Sequence, residues 1–310
     1  MEALAGVREN PALPDGGPDA RLTELSVVIP CRDGAAVLPQ QLHALGTQSW
    51  AGDAGGWEVV VADNGSTDGT AAAASGCRDL VPNLRVVDAS SHPGRHHACN
   101  VGAREAHGAA IVFLDADDEA GPGYLDAMAS ALREHDVVAA RLDHSADPEW
   151  MAGVGSAVQT DDLQEAFAFL PHAAGASLGF RKPVFDALGG FREHMTYCED
   201  VDLSWRAQLA GHDLVFVPDA VVRYRSRPTA REMFRQHRRY GAAQTLLFRE
   251  FRSAGMTRRP VTEVVDDWRA VARGAVGAPG GADARARWTR RAGRAVGRLQ
   301  GSVRNGAWYP

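Results

Sequence analysis

From Leu25 onward the chain alternates short apolar runs rich in Val and Ile with stretches of helical periodicity. Ser26-Val27-Val28-Ile29, Glu58-Val59-Val60-Val61 and Ala110-Ile111-Val112-Phe113-Leu114 are apolar almost throughout, as strands covered by helices on both faces are. Leu84-Arg85-Val86-Val87 reads as a weaker fourth strand. Between the first two runs, Val37, Leu38, Gln41, Leu42 and Leu45 form one helical stripe, with Pro39 tolerated in the first turn. Leu125, Met128, Ala129 and Leu132 repeat that geometry. Further on, Asp213 to Val217 predicts a strand that Pro218 ends, and Met233 to Phe251 a long helix. A Gly, Ala and Pro linker over Gly274 to Ala282 then leads to an arginine-rich tail. The alternation predicts βαβ units and a mostly parallel sheet.

The 310 residues, 45% hydrophobic and 23% charged, can form one large α/β domain or two modest ones, and a wholly disordered chain is excluded. A formal charge of −6 argues against a protein that holds nucleic acid by bulk charge. Cys31, Cys77, Cys99 and Cys198 contain no C-x-x-C pair, so neither a zinc ribbon nor a disulfide framework is indicated. Residues 1–24, with their acidic, Pro and Gly punctuation, read as a disordered leader and not as a signal peptide. No stretch reaches the ~18 apolar residues of a membrane span, and a cytoplasmic location is expected.

Chemistry-bearing residues collect where the central strands end. Pro30-Cys31-Arg32-Asp33 follows the first, Asp63-Asn64-Gly65-Ser66-Thr67-Asp68-Gly69-Thr70 the second, and Asp115-Ala116-Asp117-Asp118 the last. Ligands of open α/β sheets bind at that edge, where strand order reverses. Neighbouring strands lie ~4.8 Å apart, which brings Asp63, Asp115, Asp117 and Asp118 into reach of one crevice. Carboxylates so close need a cation or a raised pKa, and carboxylates with open positions suit Mg²⁺ or Mn²⁺ shared with phosphate oxygens. Ser66 and Asp68 are candidates for helix capping. No G-x-G-x-x-G follows a strand and no G-x-x-x-x-G-K-[ST] exists, which disfavours dehydrogenase and P-loop readings. A second acidic group, Glu199-Asp200-Val201-Asp202, precedes a helical stretch from Leu203 to Ala210 closed by Gly211, and Asp202 can serve as its N-cap.

Taken in order, SVVIPCRDGAAVL, VVVADNGSTDGT, ACNVGAREAHGAAIVFLDADD, GGFREHMTYCEDVDLSWRAQLAGHDLVFVPDAVV and QHRRY resemble the inverting family 2 glycosyltransferases over roughly Leu25 to Phe251. The resemblance implies the GT-A fold, a Rossmann-like mostly parallel α/β sheet flanked by helices, here with a helical C-terminal extension. It implies a glycosyltransferase domain over 25–251, with a nucleotide-binding half at 25–120 and an acceptor half at 121–251, followed by a linker and basic amphipathic tail over 252–310. It implies a nucleotide-diphosphate sugar donor, a hydroxyl acceptor, no nucleic acid partner and a divalent metal, Mn²⁺ or Mg²⁺. Asp63 then holds the base or ribose, with the segment from Pro30, including Arg32, as the opposite wall. Asp115 faces the ribose, Asp117 coordinates the metal and Asp118 assists. Asp200, beside Glu199, is the general base toward the acceptor. Gln236, Arg239 and Tyr240 match Q-x-x-R-W with Tyr for Trp, and together with Gly175 they fall to acceptor or diphosphate contact. Relatives carry Asn at Asp33, Arg at Cys99 and a His near Tyr224; Arg95 is the candidate substitute for the missing Arg.

His92, His96 and His97 read as exposed loop histidines, since a third clear metal ligand is lacking. In the tail, Trp288, Ala292, Val296, Leu299 and Val303 share a helical face among seven arginines, Arg285, Arg287, Arg290, Arg291, Arg294, Arg298 and Arg304. Such a helix is suited to peripheral contact with an anionic membrane at its inner face, the alternatives being a tail that packs on the body or stays disordered. The competing readings are a non-catalytic nucleotide-sugar-binding module and a sugar nucleotidyltransferase of related fold. Cys31-Arg32-Asp33-Gly34 is a poor match to the glycine-rich loop of the latter, and the intact Glu199-Asp200 pair argues against the former.

Overall fold

The computed structural model describes residues 24–51, 56–145, 159–165, 167–225, 229–276 and 280–310, so the leader expected over 1–24 falls outside them except for Glu24. The apolar runs become β1 (Leu25–Cys31), β2 (Trp57–Asp63), β3 (Leu84–Asp88) and β4 (Ala110–Phe113), followed by β5 (Glu119–Ala120), β6 (Val137–Asp143), β7 (Leu178–Arg181) and β8 (Leu214–Arg223). They form one sheet in the order β3-β2-β1-β4-β7-β6-β8-β5. β1, β2, β3 and β4 pair in parallel, whereas β7 runs antiparallel to both β4 and β6. Chain order reverses at β1 and β4, which opens a crevice beyond their carboxyl ends.

Successive residues of β1 point to opposite faces, and both faces are covered. Val27 and Ile29 join Leu38, Leu42 and Leu45 of α1 (Leu38–Gly46) and Leu125, Met128 and Leu132 of α4 (Tyr124–Glu134). Val28 joins Cys99 and Ala103 of α3 (Arg95–Glu105), Phe185 of α5 (Lys182–Ala187) and Leu203 of α6 (Glu199–Leu209). Gly102 lets α3 lie close on the sheet, since a Cβ there would stand 2.5 Å from Val28 Cγ1.

Four expectations from the sequence are corrected. Pro218 does not end its strand: pairing of β8 with β6 jumps from Ala140–Val217 to Arg141–Val221, and the intervening residues bulge out. A residue without an N–H is accommodated in a bulge, and the strand resumes beyond it. His96 and His97 are buried in the first turn of α3, and only His92 is exposed. His97 is satisfied there through Nδ1 to Glu193 Oε1 at 2.9 Å and Nε2 to Ser91 Oγ at 2.9 Å. Asp202 is not a cap; it lies within α6, wholly buried, held by Arg206 at 2.8 Å and Arg192 at 3.1 Å. The linker is shorter than Gly274 to Ala282, because α8 (Val261–Val276) and α9 (Gly281–Arg304) occupy most of it.

The tail is docked on α7 (Ala230–Phe251). Gly293, Gly297 and Gly301 line one side of α9, and Cβ atoms there would stand 2.8, 2.0 and 2.7 Å from the carbonyl oxygens of Phe234, Arg238 and Ala242. Backbone therefore meets backbone without intervening side chains. The face expected from the apolar spacing is only partly buried: Ala292 is buried, Trp288 and Val296 are half-buried, and Leu299 and Val303 are exposed, while Ala286, Thr289 and Arg298 are buried outside it. Beyond α9, Tyr309 stacks on Phe248 with ring centroids 5.0 Å apart.

Candidate functional site

At the end of β1 and β2, two loops are joined by reciprocal hydrogen bonds. The amides of Asp33, Gly34 and Ala35 donate to Ser66 Oγ, Thr70 Oγ1 and Asp68 Oδ2, each at 2.9 Å, and the Thr67 amide donates to Asp33 Oδ1 at 2.8 Å. Asp68 also accepts from the Thr70 amide just before α2 (Thr70–Ser75), but the N-cap position of that helix is Gly69 with no side-chain cap, so neither Asp68 nor Ser66, which reaches across to the other loop, is its N-cap. The lattice fixes Asp63, whose Oδ1 accepts from the Ser66 amide at 2.9 Å. Pro30 is buried within β1, and Arg32 stands mostly in solvent 3.9 Å from Asp33. Asn64, to which its sequence context assigns no role, holds the loop leading to α3. Its amide donates to the carbonyls of Ala89 and His92, and its Oδ1 accepts from the Gly94 amide. A polar residue directly after an apolar strand was the only sequence signal for it.

Asp115, Asp117 and Asp118 bring a ligand oxygen each to within 4.8 Å of one another. Two such charges ~4 Å apart repel by about 4 kcal/mol at an effective dielectric of ~20. Part of that repulsion is offset by Arg95, whose Nε donates to Asp115 Oδ1 at 2.7 Å. Asp118 is buried and accepts from the Arg225 amide at 2.9 Å. A set of hard, partly exposed oxygen ligands fits Mn²⁺ or Mg²⁺.

The second acidic cluster lies in the first turn of α6, where the helix dipole favours negative charge. Its helix starts at Glu199, four residues earlier than the sequence indicated, because Cys198 turns the chain at φ 59° just before it. A non-glycine residue in that region costs of order 1 kcal/mol. Asp200 accepts from the Gly175 amide at 2.8 Å and from its neighbour Val201 at 2.8 Å. Burial raises Asp200 above the usual carboxylate range, and burial followed by the Asp200 charge raises Glu199. Arg95 links the two clusters, its Nη1 3.5 Å from Glu199 Oε1 while its Nε holds Asp115. Gly175 is packed against that guanidinium; a Cβ there would stand 3.0 Å from Arg95 Nη1.

Beyond Asp200 opens a cleft of about 1290 Å³ between the body and the C-terminal helices. Asp200, Gln236, Tyr240, His172 and Tyr224 line it, and Asp63, Asp115, Asp117 and Asp118 do not. Gln236 and Tyr240 lie together, Nε2 to hydroxyl at 3.1 Å. Arg239 is separated from them. It faces another cleft, where it donates to the Tyr197 hydroxyl at 2.6 Å and stacks over the Tyr197 ring. The Q-x-x-R-Y positions thus divide between two sides of α7.

The model of glycosyl transferase family 2 matches residues 26–189, and that of glycosyl transferase family group 2 matches 110–269. The chain belongs to glycosyl transferase family 2. It is 27% identical over 228 residues to the glycosyltransferase AglE of Haloferax volcanii, covering 71% of this chain and 72% of the relative. Against a pre-mycofactocin glycosyltransferase of Mycobacterium tuberculosis it is 28% identical over 242 residues, and it spans 48% of that protein's length. In fold it is similar to the mannosyltransferase PcManGT of Pyrobaculum calidifontis, solved in complex with GDP-Man and Mn²⁺. That likeness has a TM-score of 0.63 at 19% identity and covers 93% of this chain and 89% of the other. The family 2 enzyme is thus a mixed α/β protein of GT-A type with C-terminal helices, and no described helix is long and apolar enough to cross a membrane.

Proposed function

We propose that this enzyme transfers a sugar from a nucleoside diphosphate sugar to an acceptor hydroxyl, with inversion. The observation that carries the reading is Arg95, which ties the triad carboxylate Asp115 to Glu199, beside the cleft-lining Asp200. Inverting transfer needs a cation on the leaving-group side and a base on the acceptor side, and two linked acidic clusters answer both. Asp63, with Pro30 and Arg32 on the facing wall, receives the nucleoside, and Asp115, oriented by Arg95, receives the ribose. Asp117 and Asp118 would hold Mn²⁺ or Mg²⁺, which neutralises charge on a leaving diphosphate when bound. Asp200 takes the acceptor proton, and Gln236 and Tyr240 contact the acceptor. The GDP-Man and Mn²⁺ bound by the fold neighbour support the donor class and the metal.

Melting curves with UDP, GDP and dTDP, each with and without Mn²⁺, test the donor half. One nucleotide at ~100 times its Kd should stabilise the chain by about 2.7 kcal/mol, a rise of roughly 5 to 10 °C. Asp117→Asn should abolish the part of the shift that requires Mn²⁺. No shift with any nucleotide would overturn the donor assignment.

Peripheral contact with an anionic membrane, in this reading, belongs to α8, because α9 is docked. α8 has no buried residue, and Val261, Val265 and Trp268 are exposed on it beside Arg269 and Arg273. Vesicles containing anionic lipid should pellet the protein, and Val265→Glu with Trp268→Glu should release it. Equal pelleting of that double variant would remove α8 from the contact.

A further inference from the structure

The cleft beyond Asp200 is strongly basic. Seven arginines line it, Arg258, Arg259, Arg287, Arg290, Arg291, Arg294 and Arg298, against four carboxylates, Glu165, Asp200, Glu263 and Asp267. Much of that charge is neutralised locally: Asp267 alone takes Arg259 and Arg298 at 2.8 Å and Arg291 at 3.3 Å. Arg294 has no carboxylate within ion-pair distance among the described residues. Its one hydrogen bond there runs from Nε to Nδ1 of His237 at 3.1 Å. That histidine is neutral, held down to about 3 by burial and by the charges of Arg294 and Arg290. Burial also lowers Arg294, which lies within electrostatic reach of Cys198 and Tyr240, next to the catalytic turn. Arg287 lies about two helical turns before it on α9, exposed at the rim, with no ion pair among the described residues.

A guanidinium withdrawn from water without a counter-charge is costly, and an anion entering the cleft removes that cost. The fork geometry of Arg suits phosphate, and a surplus of several positive charges favours a phosphate dianion over a single carboxylate. We propose that the acceptor carries a phosphate ester close to its reacting hydroxyl, held by Arg294 at the base of the cleft and Arg287 at its rim. The inference rests on the reading of Asp200 as the acceptor-side base. The phosphate can belong to a soluble sugar phosphate or to a sugar linked through phosphate to a lipid, and the chemistry of recognition is shared.

The test uses the full chain saturated with the nucleotide and Mn²⁺ that stabilise it, so that the donor site is filled. Glucose 1-phosphate and farnesyl phosphate are titrated against the neutral controls glucose and farnesol. At least one phosphate should bind tenfold or more tightly than its neutral counterpart. Arg294→Gln should weaken it at least tenfold, Arg294→Lys should restore most of the loss, and Arg287→Gln should weaken it about threefold. The nucleotide shift should stay unchanged in all three variants. Tenfold preference for farnesyl phosphate over glucose 1-phosphate assigns a lipid source, and any smaller preference a soluble one. If Arg294→Gln does not fold, the exposed Arg287→Gln decides. Phosphates that bind no better than their neutral controls, or equally well to the arginine variants, overturn the proposal. A missing nucleotide shift in the unmodified chain is a separate failure, that of the donor reading.

Discussion

Asp200→Asn should cut sugar transfer by about 10³-fold while leaving the nucleotide-dependent melting shift in place, the size of loss usual for removing a positioned general base. Of the two adjacent carboxylates, Asp200 is the one that lines the large cleft, and Glu199 is the one engaged by Arg95. The substitution is mild for the fold. Asn keeps one acceptor oxygen for the Gly175 or Val201 amides and removes a carboxylate whose charged form burial disfavours, so stability should move by no more than about 1 kcal/mol. The pH profile supplies a second readout. Because burial raises Asp200, its base form is lost as pH falls through a value above the ordinary carboxylate range, and the acid limb of the rate should lie there. The residual activity of Asp200→Asn should lack that limb. A variant that keeps more than a tenth of the activity would transfer the role to Glu199, and Glu199→Gln would then be the inactive one.

The carboxyl edge of the sheet was legible because its polar residues follow directly on strand ends. Apolar runs covered on both faces leave few alternatives, and Asp63 and Asp115 fall at the carboxyl edge once β1, β2 and β4 are parallel neighbours. What escaped was decided by contacts distant in sequence. Nothing around His97 announces Glu193, yet that carboxylate lets the ring be buried. Nothing near Pro218 announces that β6 continues beyond it and that a bulge will restore the pairing. The start of α6 was placed late because its first turn is acidic, a pattern equally suited to a loop, and the dihedral of Cys198 that begins the helix has no sequence signature. β6 and the four-residue β7 also carry no sequence signal of their own, since an antiparallel strand interrupts the βαβ rhythm.

The tail shows the same limit from the other direction, and Gly297→Leu should expose it. Its periodicity was read from apolar residues, although the contact with α7 is made by glycines spaced four apart, Gly293, Gly297 and Gly301, with Gly241 of α7 facing Arg294. At Gly297 even a Cβ would stand 2.0 Å from the Arg238 carbonyl oxygen, a backbone atom that no side-chain rotation can move aside. Replacing glycine in a helix gains up to about 1 kcal/mol of propensity, and forcing bulk into a packed contact costs typically 1–3 kcal/mol or more. With a whole Leu side chain between two backbones the second effect wins. A net loss near 2 kcal/mol, a fall in Tm of roughly 4 to 8 °C, is expected. Leu299→Gln, on the exposed side of the same helix, should change the Tm little. The loss should also reach the cleft, because Arg287 and Arg294 are carried on α9. Phosphate-ester binding should therefore fall in Gly297→Leu while the nucleotide shift, generated by the loops after β1, β2 and β4, persists. An unchanged Tm would mean that the two helices do not meet at Gly297.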